Sequence, residues 1–440
     1  MMCAIEAGKR GRTVILIDHA HKLAEKIRIS GGGRCNFTNR NATAENYLSD
    51  NPDFCRSALA RFTPQHFIAL VEKHGIRYHE KKLGQLFCDN SAQDIIAMLQ
   101  RECDAARVDW LMSAHIGRIA ARPAAAGNQS DSRNYLIMFD DTCIEANALV
   151  IATGGLSIPQ IGATPLGYQI ANQFGIAVTS LHPGLVGLTF HADDFSELKT
   201  MSGISLDAEI HCNGAKFREN ILFTHRGLSG PAILQISSYW KPGLPLTIDL
   251  FPQCNMLEIF APHRQSNTML PNFLARYLPK RFVQMWCSML SSQSSLTIKP
   301  LRQYRDSELR AIAEQLHRWQ VIPSGTMGYK KAEVTVGGID TRELSSKTME
   351  AKRMPGLYFI GEVVDVTETF VEIRCDSGSN LRFYRRPSHI DGHRLLWPAY
   401  NIHMNINPTK MKKIYLITSF ILAVAASQAQ AQANSELKAL

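Results

Sequence analysis

Three consecutive glycines, Gly31, Gly32 and Gly33, stand in the run Ser30-Gly-Gly-Gly-Arg34-Cys35-Asn36-Phe-Thr-Asn39. Glycine tolerates positive φ and lets a ligand approach bare main chain. The N–H groups of such a turn can form an anion-binding concavity. A run of this kind builds a poor core but suits a flat or phosphorylated ligand. In isolation it is also the sequence of a flexible surface loop, so its surroundings must decide.

Two further stretches end in glycine. Ala148-Leu-Val-Ile-Ala152 runs into Thr153-Gly154-Gly155, and Leu357-Tyr-Phe-Ile360 into Gly361-Glu362, with Asp365 close behind. A third apolar run, Thr13 to Ile17, ends at Asp18. Open α/β sheets bind ligands at the carboxyl ends of their strands. An acid at a strand end can accept a hydrogen bond from a ribose hydroxyl. Strand ends tipped with glycine or acid therefore point to one ligand site at one sheet edge. A separate loop, Leu222 to Pro231, joins His225 and Arg226 to hydroxyls and glycines. His225 is the one candidate for catalysis, although an imidazole without a named partner reads first as a structural residue.

The elements that must position these residues follow from periodicity. Met1 to Arg12 reads as a helix closed by Gly11. Helix and strand ending at Asp18 match the second half of a dinucleotide-binding βαβ unit. The strand and Gly-x-Gly-x-x-Gly turn that should open it have no counterpart before Met1, so a chain truncated at its N-terminus is expected. Pro52 to Val108 is mostly helical, with Thr63 capping a helix that starts at Pro64. Gln85 to Cys88, Asp109 to Ala121 and Tyr135 to Phe139 read as strands or turns, with a loop at Arg122–Ser130. Residues 180–252 return to alternation with Pro, Gly and Asn punctuation. Residues 257–319 are helical, with Leu270–Leu278 and Glu308–Trp319 the best segments. Val334 to Ile339 is again strand and glycine.

The chain has 440 residues, enough for two or three domains, and carries a net charge of +9. Residues 368–440 hold nine Lys and Arg against five Asp and Glu. The other basic residues read as dispersed, so no nucleic-acid partner is expected. Ten cysteines without C-x-x-C pairs fit a reducing cytoplasm, with no disulfide framework and no metal site.

Ile27–Asn39, together with Leu86-Phe-Cys88, Ile151–Gly155, Phe223–Pro231, Val334–Ile339 and Gly361–Asp365, resembles the BaiN-like NAD(P)/FAD-dependent oxidoreductases. These are also called the aminoacetone oxidase family of flavoproteins. The resemblance covers about residues 1–367. It implies an α/β, Rossmann-like FAD-binding domain (1–180 and 326–367) with an inserted antiparallel β domain (181–256) and a helical subdomain (257–325). By resemblance, Asp18 holds the adenosine ribose and the main chain near Ile116 faces adenine. Gly31, Gly32, Gly33, Arg34, Cys35 and Asn36 line the pyrophosphate and flavin edge. Gly154 and Gly155 let the chain pass close to FAD, and Gly361, Glu362 and Asp365 reach the ribityl–pyrophosphate region. The implied reaction is a flavin redox step on a small organic substrate, with NADH or NADPH as donor. The rival readings are an inactive remnant serving as a binding module and a membrane-associated protein.

Residues 368–440 read as an unrelated, disordered tail. Lys412 and Lys413, an apolar run at Ile414–Ala426 and alternating Gln and Ala have the layout of a secretory signal peptide over residues 411–433. The run is shorter than the ~20 residues that span a bilayer, and no membrane partner is expected. Read-through into a neighbouring coding region is the expected origin.

Overall fold

The computed structural model describes residues 1–122, 134–139, 142–191, 199–293, 297–368 and 414–418. All of the loop expected at Arg122–Ser130 but Arg122, and all of the tail expected over residues 368–440 with its signal-peptide-like stretch 411–433 but residues 368 and 414–418, lie outside these. The described residues divide into two compact units, one drawn from residues 1–155, 161–180, 337–368 and 414–418, the other from 156–160 and 181–336.

The first unit is built on a parallel sheet of β1 (Val14–Ile17), β2 (Val108–Leu111), β3 (Ala148–Ala152), β4 (Leu357–Phe359) and β5 (Ile414–Thr418). Its order is β4-β3-β5-β1-β2, and every neighbouring pair is parallel. Strands buried on both faces read as continuous apolar runs; all five residues of β3 are buried, as are Val14, Leu16 and Ile17 of β1.

The doubly wound order 3-2-1-4-5 maps onto β2-β1-β5-β3-β4, so the slot of the first strand is filled by β5, late in the sequence. Val14–Ile17 registers with Ile414–Ile417, and Ala148–Ala152 with Ile414–Thr418. The sequence reading puts these five residues in an unrelated tail; here they pair between β1 and β3. The physical reason is local: Ile-Tyr-Leu-Ile-Thr has the composition of a buried strand, and two open ladders flank the place it takes.

Helix α1 (Met2–Lys9), α2 (Glu25–Ile29), α3 (Pro64–Lys73), α4 (Ala92–Ala105) and α5 (Leu166–Gln173) belong to this unit. Thr63 and His66 form the expected N-terminal cap of α3, and Ser91 Oγ accepts from Gln93 N at the start of α4. α1 lies so close to the end of α4 that a Cβ on Gly8 would stand 2.2 Å from the Ala106 carbonyl oxygen. Glu102 of α4 is 5% exposed and accepts from Lys9 Nζ (2.7 Å) and Lys73 Nζ (2.8 Å), with His74 Nε2 also at 2.8 Å. One buried carboxylate thus ties α4 to α1 and to the end of α3.

The second unit wraps helices around a seven-stranded antiparallel sheet, in the order 319–321, 246–249, 205–212, 215–224, 227–229, 188–189, 325–326. Helix α6 (Pro231–Ser237), α7 (Leu270–Leu274), α8 (Lys280–Gln293) and α9 (Asp306–His317) share its core. Trp319, expected to end a helix, instead opens a strand. Its ring stacks on Phe223 at 6.3 Å and meets Phe282 edge-on at 6.0 Å, so tertiary packing overrides the local pattern. Among the described residues, no helix is long and apolar enough to cross a membrane.

Candidate functional site

The carboxyl ends of β3 and β4 are adjacent, because Ile360 N donates to Ile151 O at 3.0 Å. Each chain then turns on a glycine with positive φ, Gly154 at 74° and Gly361 at 77°. Helix α5 begins directly against these ends. A Cβ on Gly167 would lie 2.2 Å from Thr153 Oγ1 and 2.7 Å from Val363 Cγ2. Thr153 is 4% exposed and its hydroxyl has no hydrogen-bond partner among the described residues. An orphaned buried hydroxyl beside a glycine turn is a group that a ligand can satisfy.

The triple-glycine turn is left-handed throughout, with φ of 59°, 66° and 85° at Gly31, Gly32 and Gly33. Its glycines do different work. A Cβ on Gly31 would meet Asn36 N at 2.8 Å and the Phe87 ring at 3.0 Å, so this one is needed for packing. Around the corresponding points on Gly33 and Gly361 nothing among the described residues lies within 4 Å. Both present bare backbone to open space. Arg34 is exposed, and its guanidinium has no partner among the described residues.

The glycine turn and the Gly361 turn are tied together. Lys26 of α2 donates to Glu362 Oε2 at 2.9 Å, and Glu362 is 7% exposed. The buried Asp365 carboxylate accepts from Asp50 N at 3.3 Å, and Thr367–Glu368 pairs with Tyr47–Leu48. Burial pushes the Asp365 carboxyl above its usual range, although the Asp50 amide opposes this.

Asp18 follows β1 at the same edge of the sheet. Its Oδ1 accepts from Ala20 N at 2.9 Å and stands 3.5 Å from His19 Nδ1. Burial raises this carboxyl too, with the Ala20 amide and His19 acting against it. The chain after β1 is paired with the segment that carries Ile116: Ala114 N donates to Asp18 O at 3.0 Å and Ser113 N to Ala20 O at 3.2 Å. The half-buried Ile116 lies two residues further on.

Cys35 is fully buried at positive φ, and burial pushes its thiol up to about 11; Cys88 is pushed to about 12. Neither has thiolate character near neutral pH, which sets them apart from reactive cysteines. Asn36 is buried on the strand that pairs with Gln85–Cys88. His225 belongs to the second unit, at an exposed turn where Arg226 N donates to Thr224 Oγ1 (3.3 Å) and Thr224 Oγ1 to Gly227 O (3.0 Å).

One edge of the first unit therefore gathers Asp18, the triple-glycine turn with Arg34, Gly154 and Gly361. Sequence reasoning missed Lys26, Thr153 and Gly167. Only Thr153 carried a signal, as the polar residue between a buried strand and a glycine pair. The edge offers open backbone at two glycines, an orphaned hydroxyl, a half-buried acid and a free cation. That set fits a dinucleotide's phosphates and ribose. Among the described residues, no group of three His, Cys, Asp or Glu is placed to hold a metal.

A family model described as the HI0933-like protein Rossmann domain matches residues 1–370. The chain is 48% identical over 370 residues to a protein of Escherichia coli (strain K12) named Ribosomal RNA dihydrouridine synthase, covering 83% of this chain and 89% of that one. A protein of the same name from Haemophilus influenzae (strain ATCC 51907 / DSM 11121 / KW20 / Rd) is 43% identical over 371 residues, covering 83% and 90%. A 3-dehydro-bile acid delta(4,6)-reductase of Clostridium scindens (strain ATCC 35704 / DSM 5676 / VPI 13733 / 19) is 22% identical over 377 residues, covering 80% and 87%.

Proposed function

Because this chain belongs to the HI0933-like Rossmann-domain family, we propose that it is an FAD-dependent oxidoreductase that reduces a uracil of ribosomal RNA, with NADH or NADPH as electron donor. The observation that carries the substrate is the pair of relatives bearing that activity in their names, matched along nearly their whole length. The convergence of bare glycine backbone on one sheet edge supports the cofactor. This reading replaces the expected small organic substrate with a nucleic acid.

FAD, when bound, would supply hydride chemistry for a C=C bond conjugated to a carbonyl, the reduced nicotinamide providing the hydride and solvent the second proton. The chain's own residues bind and orient. Gly33 and Gly361 leave room for a close approach to their main chain. The Arg34 guanidinium is free to meet a phosphate. Asp18 can accept from a ribose hydroxyl. The Lys26–Glu362 ion pair holds the two glycine turns at a fixed separation.

The test begins with the visible spectrum of the purified full chain incubated with FAD. Flavin bands that co-elute with protein and bleach anaerobically on addition of NADH or NADPH are expected. Incubation with rRNA lacking the modification then yields dihydrouridine, read by mass spectrometry of the digested RNA. A colourless protein after FAD loading overturns the flavoprotein reading. A yellow, reducible protein that leaves rRNA unchanged overturns the substrate.

Gly361→Val tests the cradle. A β-branched residue at φ 77° is strained by roughly 1–2 kcal/mol, and its side chain fills the open space. Flavin retained per protein after gel filtration is expected to fall at least tenfold. Retention equal to the unmodified chain would remove Gly361 from the site.

A further inference from the structure

Charge in this chain is not spread evenly. Residues 257–325 hold nine Lys and Arg against four Asp and Glu, whereas residues 1–256 and 326–367 together hold thirty of each. The excess expected to be dispersed is thus concentrated in the helical part of the second unit. The same stretch contains every large apolar side chain that stands exposed among the described residues: Leu257, Met269, Tyr277 and Ile322.

Cations and an aromatic meet at the corner between α7 and α8, Arg276-Tyr277-Leu278-Pro279-Lys280-Arg281. Leu278 is buried and anchors the corner in the core. Tyr277 is 47% exposed yet held in place. Its ring lies 5.7 Å from Phe273 and meets Phe251 edge-on at 6.2 Å. Arg276 is exposed, with its guanidinium 5.5 Å from the centre of the Phe273 ring. Phe251 also meets His317 edge-on at 6.5 Å.

Helix α8 opens with Lys280 and Arg281, and its first turn holds no acid. Cations at a helix N-terminus oppose the helix dipole. Arg281 is occupied by the Ser202 carbonyl, but Lys280 has no partner among the described residues. Two cations without acidic partners therefore flank a rigid, half-exposed ring. Proteins that bind unpaired nucleic acid combine such cations, which meet phosphates, with aromatic rings on which bases stack.

We propose that the α7–α8 corner is an RNA-docking surface, with Arg276 and Lys280 meeting backbone phosphates and Tyr277 stacking on an unpaired base. The proposal rests on the rRNA reading above. It assigns the contact to a surface distinct from the residues placed at the glycine turns.

The test measures binding of the full chain to fluorescently labelled rRNA fragments across a salt series, alongside dihydrouridine formation. The variants are Arg276→Ala/Lys280→Ala, Tyr277→Ala and Tyr277→Phe, each checked for an unchanged melting temperature. Removal of two phosphate contacts is expected to weaken binding about tenfold or more at low salt. It should also flatten the plot of log affinity against log salt by about one to two. Tyr277→Ala weakens binding about tenfold while leaving that slope unchanged, and Tyr277→Phe binds as the unmodified chain does. If dihydrouridine forms and no variant changes affinity or slope, the docking surface is wrong and the function stands. If the chain binds rRNA through this corner but forms no dihydrouridine, the function fails and the surface stands. Loss of binding to vesicles of anionic phospholipid in the same variants, with no rRNA affinity in the unmodified chain, assigns the corner to a lipid surface and overturns the proposal.

Discussion

Leu416→Pro is expected to unfold the first unit and leave the second intact. Residue 416 lies in the middle of β5, registered with Leu16 on one side and Val150 on the other. Proline has no N–H to give to either ladder and is confined to sheet edges in native folds. The substitution removes one hydrogen bond and strands a buried carbonyl, at about 1–3 kcal/mol. Ring clashes in the centre of the sheet add to this, for a total of about 3–5 kcal/mol. That is a large share of a typical domain stability of about 5–15 kcal/mol. Hydrogen exchange is the appropriate measurement. Protection of the Val14–Ile17 and Leu149–Ile151 amides should collapse, while amides of Ser205–Cys212 keep theirs. Leu416→Val keeps the N–H and should retain protection. Unchanged exchange in β1 and β3 of the proline variant would show that no strand runs between them.

Glu102→Gln should cost about 1–3 kcal/mol at neutral pH, and the cost should fade in acid. Burial works against the Glu102 charge, yet hydrogen bonds from Lys73, Lys9 and His74 outweigh it and bring the carboxyl down to about 2. Against an unfolded value of roughly 4.3, the full linkage is about 3 kcal/mol. Lys9 and Lys73 are 45% and 65% exposed, so solvent screening trims that figure. The sign follows from the depressed value. The contribution is fully present above the unfolded pKa and is lost as pH falls from about 4 through about 2. Urea melts of both proteins between neutral pH and pH 2 should therefore converge. A gap that stays constant over that range would show that the carboxylate charge is not what ties α4 to α1 and α3.

The parts of the site visible in the sequence are those whose signal is local. A triple glycine, an acid after Val14–Ile17 and glycines after two apolar runs each announce themselves within a few residues. Lys26 and Glu362 are 336 residues apart, and nothing near either one names the other. Gly167 looks like an ordinary helical glycine until Thr153 and Val363 are seen against it. The run at Ile414–Thr418 shows a different limit. A short apolar stretch can be a signal-peptide core or a buried strand, and periodicity does not separate them. The basic bias of residues 257–325 was countable from the start. Its meaning depended on Tyr277 being exposed, which only packing reveals.

The placement of β5 also sets a timetable. A ribosome releases β1 and β3 long before it has made residues 414–418, so through most of translation both strands offer naked edges to any partner that passes. Residues 181–336, by contrast, emerge as one continuous length and can settle while the flanking sheet waits. The first unit is then the last part of this polypeptide to mature, and the part most dependent on protection from aggregation until its central thread arrives.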